Sequence, residues 1–156
     1  MSDFNEELKK AEAGSVVSQG YVGWCYLYGR DTDVNYQQAV RWLTAAAHEG
    51  RAARPFTHLG RMYAEGLGVP KDITEAVKHY KAVVKVELRA QLALARMYAR
   101  GDGVPSDHDE ARKLYSELAI CDYLHPDPAV AAFAGAITPD ELEEAKAYVR
   151  SMRESG

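Results

Sequence analysis

Apolar residues recur along most of this chain at intervals of three and four. Leu59, Met62 and Tyr63 carry the pattern in one segment, and Ala76, Val77 and Tyr80 carry it in the next. That spacing puts them on one face of an α-helix. No segment alternates apolar and polar residues in the way a half-buried strand requires. The pattern predicts a helix near 3–12, helix pairs near 15–49, 52–85 and 87–120, and two last helices near 128–135 and 139–153. A linker with Asp122, Pro126, Asp127 and Pro128 precedes those last two. The final helix has a narrow apolar stripe of Leu142, Ala145, Tyr148, Val149 and Met152. Glu141, Glu143, Glu144, Lys146, Arg150 and Arg153 surround it. A helix that closes the end of a stack needs such a pattern, with one face buried and the other wet.

The helix pairs are copies of one another. Leu59-Gly60-Arg61-Met62-Tyr63-Ala64-Glu65-Gly66 is followed by Leu67-Gly68-Val69-Pro70, and the same run returns 35 residues later as Leu94-Ala95-Arg96-Met97-Tyr98-Ala99-Arg100-Gly101 with Asp102-Gly103-Val104-Pro105. The match continues through Glu75-Ala76 against Glu110-Ala111 and Tyr80 against Tyr115. A weaker copy, Val22-Gly23-Trp24-Cys25-Tyr26-Leu27-Tyr28-Gly29, lies 37 residues before the second. Gly66 and Gly101 stand where a first helix ends, at a left-handed position that costs on the order of 1 kcal/mol for a residue with a Cβ. Pro70 and Pro105 prevent the first helix from continuing. The second helices open on Asn35 with Gln38, Asp72 with Glu75 and Asp107 with Glu110, and the last helix on Thr138 with Glu141. Each reads as a capping box, the short side chain taking a backbone N–H and the residue three positions on reaching back.

At Leu59–Tyr80 and Leu94–Tyr115 the chain resembles Sel-1-like repeats, relatives of the tetratricopeptide repeat. The shared pattern is L-G-x-x-Y-x-x-G-x-G-V, then D, A-x-x-W/Y and A-A-x-x-G. The first copy lacks the Gly-x-Gly-Val loop, reading Arg30-Asp31-Thr32-Asp33-Val34, but keeps Ala39-Val40-Arg41-Trp42-Leu43 and Ala45-Ala46-Ala47-His48-Glu49-Gly50. The second copy loses that end, reading Ala82-Val83-Val84-Lys85-Val86-Glu87. The resemblance implies an all-α fold. It would be a right-handed α/α superhelix of about three helix pairs (about 13–50, 51–86 and 87–121) with C-terminal capping helices at about 128–153, forming one domain over 1–156. By family habit it also implies an adaptor that binds a protein or peptide. Neutralising a toxin as a bacterial immunity protein is the narrower alternative, by resemblance only.

Charge and chemistry narrow the picture further. The net charge is −4 with no long block of one sign, which does not point to nucleic acid or an anionic membrane. Cys25 and Cys121 are far apart and form neither a disulfide framework nor a zinc knuckle. The N-terminus has no basic start followed by an apolar run, and no stretch approaches the roughly 18 apolar residues of a membrane span, so a soluble, cytoplasmic protein is expected. The histidines, His48, His58, His79, His108 and His125, form no metal-binding pair. Asp31-Thr32-Asp33-Val34-Asn35 opens like a calcium loop. Tyr36 and Trp42, however, stand where a glycine and a bidentate glutamate are needed, and helix capping by Asn35 accounts for the segment. Gly66-Leu67-Gly68 and Gly101-Asp102-Gly103 are too short for a phosphate loop and follow helices. Neither a hydrolase signature nor any other catalytic motif is present. The expectation is therefore no enzyme, no cofactor, no metal and no small-molecule substrate. A single-strand RNA reader, stacking bases on aromatics and arginines, is a weaker rival that the acidic charge disfavours.

One stripe remains once the repeat pattern is explained. Positions spaced four, three and four on the first helix of each pair share a face. They are Val17, Tyr21, Trp24 and Tyr28; Arg54, His58, Arg61 and Glu65; and Arg89, Ala93, Arg96 and Arg100. First helices line the concave side of such stacks. Tyr21, Trp24, Tyr28, Arg54, His58, Arg61, Arg89, Arg96 and Arg100 are thus the candidate partner-binding residues, rich in the types that dominate protein interfaces. The competing assignment makes Tyr21 and Trp24 core and the arginines a solvated face. Arginines with no intrachain partner would suit an acidic protein or peptide.

Overall fold

The computed structural model describes residues 3–49, 52–121 and 124–155. Among them the helices are α1 (Phe4–Glu12), α2 (Val16–Tyr28), α3 (Tyr36–Glu49), α4 (Arg54–Glu65), α5 (Ile73–Val83), α6 (Leu88–Arg100), α7 (His108–Leu118), α8 (Pro128–Ala134) and α9 (Pro139–Glu154). The described residues contain no strand, only an isolated parallel bridge between Leu124 and Ile137. The fold is an all-α repeat fold, with each helix close to its expected bounds. Of the expected linker, Asp122 lies outside the described residues. The part that follows is pinned by the His125 amide, which donates to the Ile137 carbonyl at 2.9 Å.

Two compact units make up the chain, Met1–His79 and Tyr80–Gly156, and the division falls inside α5. In the first unit, α2 packs on α3 and α4. Leu27, Ala39, Leu43, Leu59 and Met62 are buried together. Ala11, Val22 and Trp42 form a second group under Phe4 and Leu8 of α1. In the second unit, Leu92, Leu94, Ala95 and Met97 of α6 are buried, as are Leu114, Tyr115 and Leu118 of α7.

The repeat is visible in the backbone. Gly66 and Gly101 end α4 and α6 at φ of 70° and 74°, and their amides donate to the Met62 and Met97 carbonyls. Gly29 does the same for α2 at φ 67°. Gly68 has a second reason to be glycine. Its φ is 72°, and a Cβ there would lie 2.7 Å from the Tyr36 carbonyl oxygen.

The second helices are capped as expected by their side chains. Asn35, Asp72 and Asp107 accept from the amides of Gln38, Glu75 and Glu110 at 3.0–3.1 Å. The expected return arm is different in these three copies. The backbone amides of Asn35, Asp72 and Asp107 donate instead to the carbonyls of Tyr26, Tyr63 and Tyr98, each at 2.9 Å. That bond ties the start of each second helix to the last turn of the first, so the glutamate or glutamine has no amide to reach. Among the described residues, both arms of a capping box are made at Thr138 and Glu141.

Candidate functional site

In the first unit, α2 and α4 bring five of the candidate residues into one continuous row. Tyr21 and Trp24 have ring centroids 5.8 Å apart, and Trp24 and Tyr28 6.1 Å. Tyr28 then meets His58 edge-on at 6.0 Å, and the Arg61 guanidinium lies 5.1 Å above the Tyr28 ring. Trp24 and His58 are 7% and 4% exposed, so they form the floor of the row. The core assignment therefore holds for Trp24 but not for Tyr21, which is half-buried, as is Tyr28. Tyr21 donates its hydroxyl to Asp31 at 3.3 Å. Asp31 is a non-glycine residue with positive φ, 59°. Arg61 is half-buried and Arg54 exposed at the start of α4. Arg61 donates to Glu65, one turn on, at 3.0 Å.

The second unit treats the same stripe differently. Arg96 makes a two-pronged contact with Glu144 of α9, at 2.9 and 2.5 Å. Arg89 bonds Glu141. The Tyr115 hydroxyl of α7 donates to Glu144 at 2.9 Å, and the Tyr115 and Tyr148 rings are 4.6 Å apart. Arg96 and then Tyr115 hold the Glu144 carboxyl below the usual carboxylate range, against the opposing effect of burial. Burial, helped by Glu144, pushes the Tyr115 phenol up. Arg100 is exposed.

The expectation of arginines without intrachain partners is thus corrected for Arg61, Arg89 and Arg96. Glu65 is a local partner, four residues along the same helix. Glu141 and Glu144 are distant in sequence, and they were expected on the wet side of α9. With Ala145 and Tyr148 they instead form its inner face. Their spacing of three, followed by Tyr148 one turn after Glu144, was the available signal.

An open cleft of about 410 Å3 also lies in the second unit. Its lining combines the apolar Val84, Leu94 and Leu114 with Lys81, Lys85, Lys113, Glu110 and Glu117. None of the stripe residues lines it. No group of three or more metal-ligating side chains occurs among the described residues. No described helix is long and apolar enough to cross a membrane.

The Sel1 repeat family description matches residues 16–50, 57–82 and 88–123. The chain is a Sel1 repeat protein. These matches include every stripe candidate except Arg54, and they stop short of α9. Among solved structures, the Sel1 repeat protein from Oxalobacter formigenes is 34% identical with a TM-score of 0.66, over 73% of this chain and 47% of that one. A protective antigen of uropathogenic Escherichia coli strains, displaying an SLR fold, is 27% identical with a TM-score of 0.68, over 97% and 34%. Among curated proteins, the DAP3-binding cell death enhancer 1 of Rattus norvegicus and of Mus musculus are each 35% identical over 71 residues. That is 46% of this chain but only 13% of theirs. Sel1 repeat proteins generally mediate protein–protein interaction and are typically non-enzymatic scaffolds.

Proposed function

We propose that this Sel1 repeat protein binds an acidic segment of a partner protein on the faces of its first helices. Tyr21, Trp24, Tyr28, Arg54, His58 and Arg61 would carry the contact in the first unit, and Arg89, Arg96 and Arg100 in the second. The observation that supports this best is the Tyr28 ring, backed by Trp24 and His58 and overlaid by Arg61. Packed aromatic rings offer contact area with little side-chain entropy left to lose. Beside the Tyr28 ring, the ion pair of Arg61 is with Glu65 of its own helix, with side chains 39% and 50% exposed. A pair of that kind is worth roughly 0.3–0.5 kcal/mol. A partner carboxylate that forms a desolvated charged hydrogen bond offers roughly 1.5–3 kcal/mol, so the exchange favours binding.

On this reading the protein is an adaptor with no cofactor, no catalytic centre and no small-molecule, nucleic-acid or membrane ligand. Its cysteines remain thiols, which suits the reducing cytoplasm. An immunity role is the narrower form, in which the partner is a toxin.

The test begins with capture of the partner by the full chain from native lysate and its identification by mass spectrometry. Tyr28→Ala and Arg61→Ala should each weaken the purified interaction at least tenfold with unchanged circular dichroism. Arg112→Ala, exposed on a second helix, should leave it intact. Equal binding by all three variants would overturn the reading. A toxin partner would show itself by co-expression rescue, and strong retention on heparin at low salt would favour the RNA rival.

A further inference from the structure

We propose that α9 is a displaceable latch. Its Glu141 and Glu144 occupy Arg89 and Arg96 until an acidic helix of the partner protein, with two carboxylates three residues apart, replaces them. This rests on the reading that first-helix faces bind protein. It adds the chemistry of the partner and the segment that must move.

Four features of α9 carry the inference. Its attachment includes an ionic and polar network: Arg89 to Glu141, Arg96 to Glu144, Tyr115 to Glu144, and His108 Nδ1 to the Tyr148 hydroxyl at 3.1 Å. Its apolar attachment is small, since Ala145 is its one fully buried residue and Leu142, Tyr148, Val149 and Met152 are half-buried. Its helical shape is favoured by its own local sequence. It runs 16 residues, with a complete capping box and Pro139 in the first turn. It is also tethered at a fixed point, because Ile137 just before it is fully buried and bonded to His125. A helix of that kind can leave its seat and return to it.

The arginines it covers are ready for a substitute. Their side chains are 21% and 33% exposed, and both lie on α6, seven residues apart. A partner helix with the same carboxylate spacing as Glu141 and Glu144 would present the same groups to the same guanidinium pair. Contacts of partly exposed charges weaken with salt, whereas apolar capping does not. A cap held by apolar contacts alone would therefore show no ionic sensitivity.

Two measurements on the full chain test this. In hydrogen exchange, the α9 amides should open as a separate unit, faster than those of α6 and α7. Raising NaCl from about 0.02 M to about 0.5 M should speed α9 at least threefold and leave α6 and α7 unchanged. The second uses a fluorescein-labelled peptide of residues 137–155 as the probe in an anisotropy titration. It should bind Glu141→Gln/Glu144→Gln at least tenfold more tightly than the parent chain. Adding Arg89→Ala and Arg96→Ala should abolish that gain.

Exchange of α9 together with α6 and α7 at both salt concentrations would overturn the latch. So would a peptide that binds the double glutamine variant no better than the parent. If that variant does not fold, the exchange experiment on the parent chain decides. Neither measurement uses the native partner. A chain that keeps its Tyr28-dependent partner but fails both would contradict the latch alone. Loss of the Tyr28 dependence would contradict the binding reading.

Discussion

Arg61 and Arg96 hold the same place in successive repeats, 35 residues apart, and their surroundings differ. Arg61 rests on an aromatic ring and reaches a glutamate one turn along its own helix. Arg96 is gripped at two points by a glutamate from α9, with a tyrosine hydroxyl completing the group. The helix, the glycine that ends it and the cap that follows are alike in both copies. What differs is what the guanidinium meets: an aromatic ring of α2 in one copy and a carboxylate of α9 in the other. Repeat register fixes where a side chain points, and the neighbouring element decides whether it is available.

If the copies share a backbone and differ only in cover, turn substitutions must act alike in both. The largest effect is expected at Gly68, where a left-handed φ and a close carbonyl act together. Gly68→Val should cost about 3 kcal/mol in urea unfolding, because strain at φ above zero adds to overpacking. Gly66→Val and Gly101→Val have nearest neighbours at 3.3–3.4 Å and carry mainly the backbone strain. Each should cost about 1–2 kcal/mol. A difference of more than about 1 kcal/mol between those two would break the backbone equivalence.

Acid should separate the units. His79, in the first, is pushed below its ordinary 6.5 by burial. The unfolded chain then takes up that proton first, so stability falls as pH drops below 6.5. Glu144, in the second, lies below its ordinary 4.5. Its contribution is complete above 4.5 and is lost as pH falls through the lower folded value. Hydrogen exchange followed downward from pH 7 should therefore show helix α5 around His79 loosening before α9. The reverse order would contradict these assignments. The smallest effect leaves stability untouched. Cys25 is fully buried with its thiol pushed up to about 11 by that burial, whereas Cys121 is half-buried. Ellman's reagent should modify Cys121 first, and prior labelling of Cys25 would show that α2 opens more readily than its packing implies.

Much of this was legible in the sequence because it is local. Gly66 and Gly101 mark helix ends through backbone sterics, and Asn35, Asp72 and Asp107 mark helix starts through side-chain capping within three residues. The return arms were misread because a tertiary bond, to the carbonyls of Tyr26, Tyr63 and Tyr98, takes the amide that a capping box would use. The burial of Trp24 and His58 depends on how α2 meets α4, and the stripe pattern does not encode that depth. The partners of Arg89 and Arg96 lie 52 and 48 residues away, beyond any helical window.

The most direct test of the open and covered stripes is a pair of double-mutant cycles in urea unfolding. One cycle combines Arg96→Ala with Glu144→Ala, and the other combines Arg61→Ala with Glu65→Ala. Two-pronged pairing across elements predicts a coupling of about 1–2 kcal/mol for Arg96 and Glu144. An exposed pair within one helix predicts no more than about 0.5 kcal/mol for Arg61 and Glu65. Couplings equal within error, or a larger value for Arg61 and Glu65, would contradict the claim that α9 covers one copy of the stripe while the other remains available to a partner.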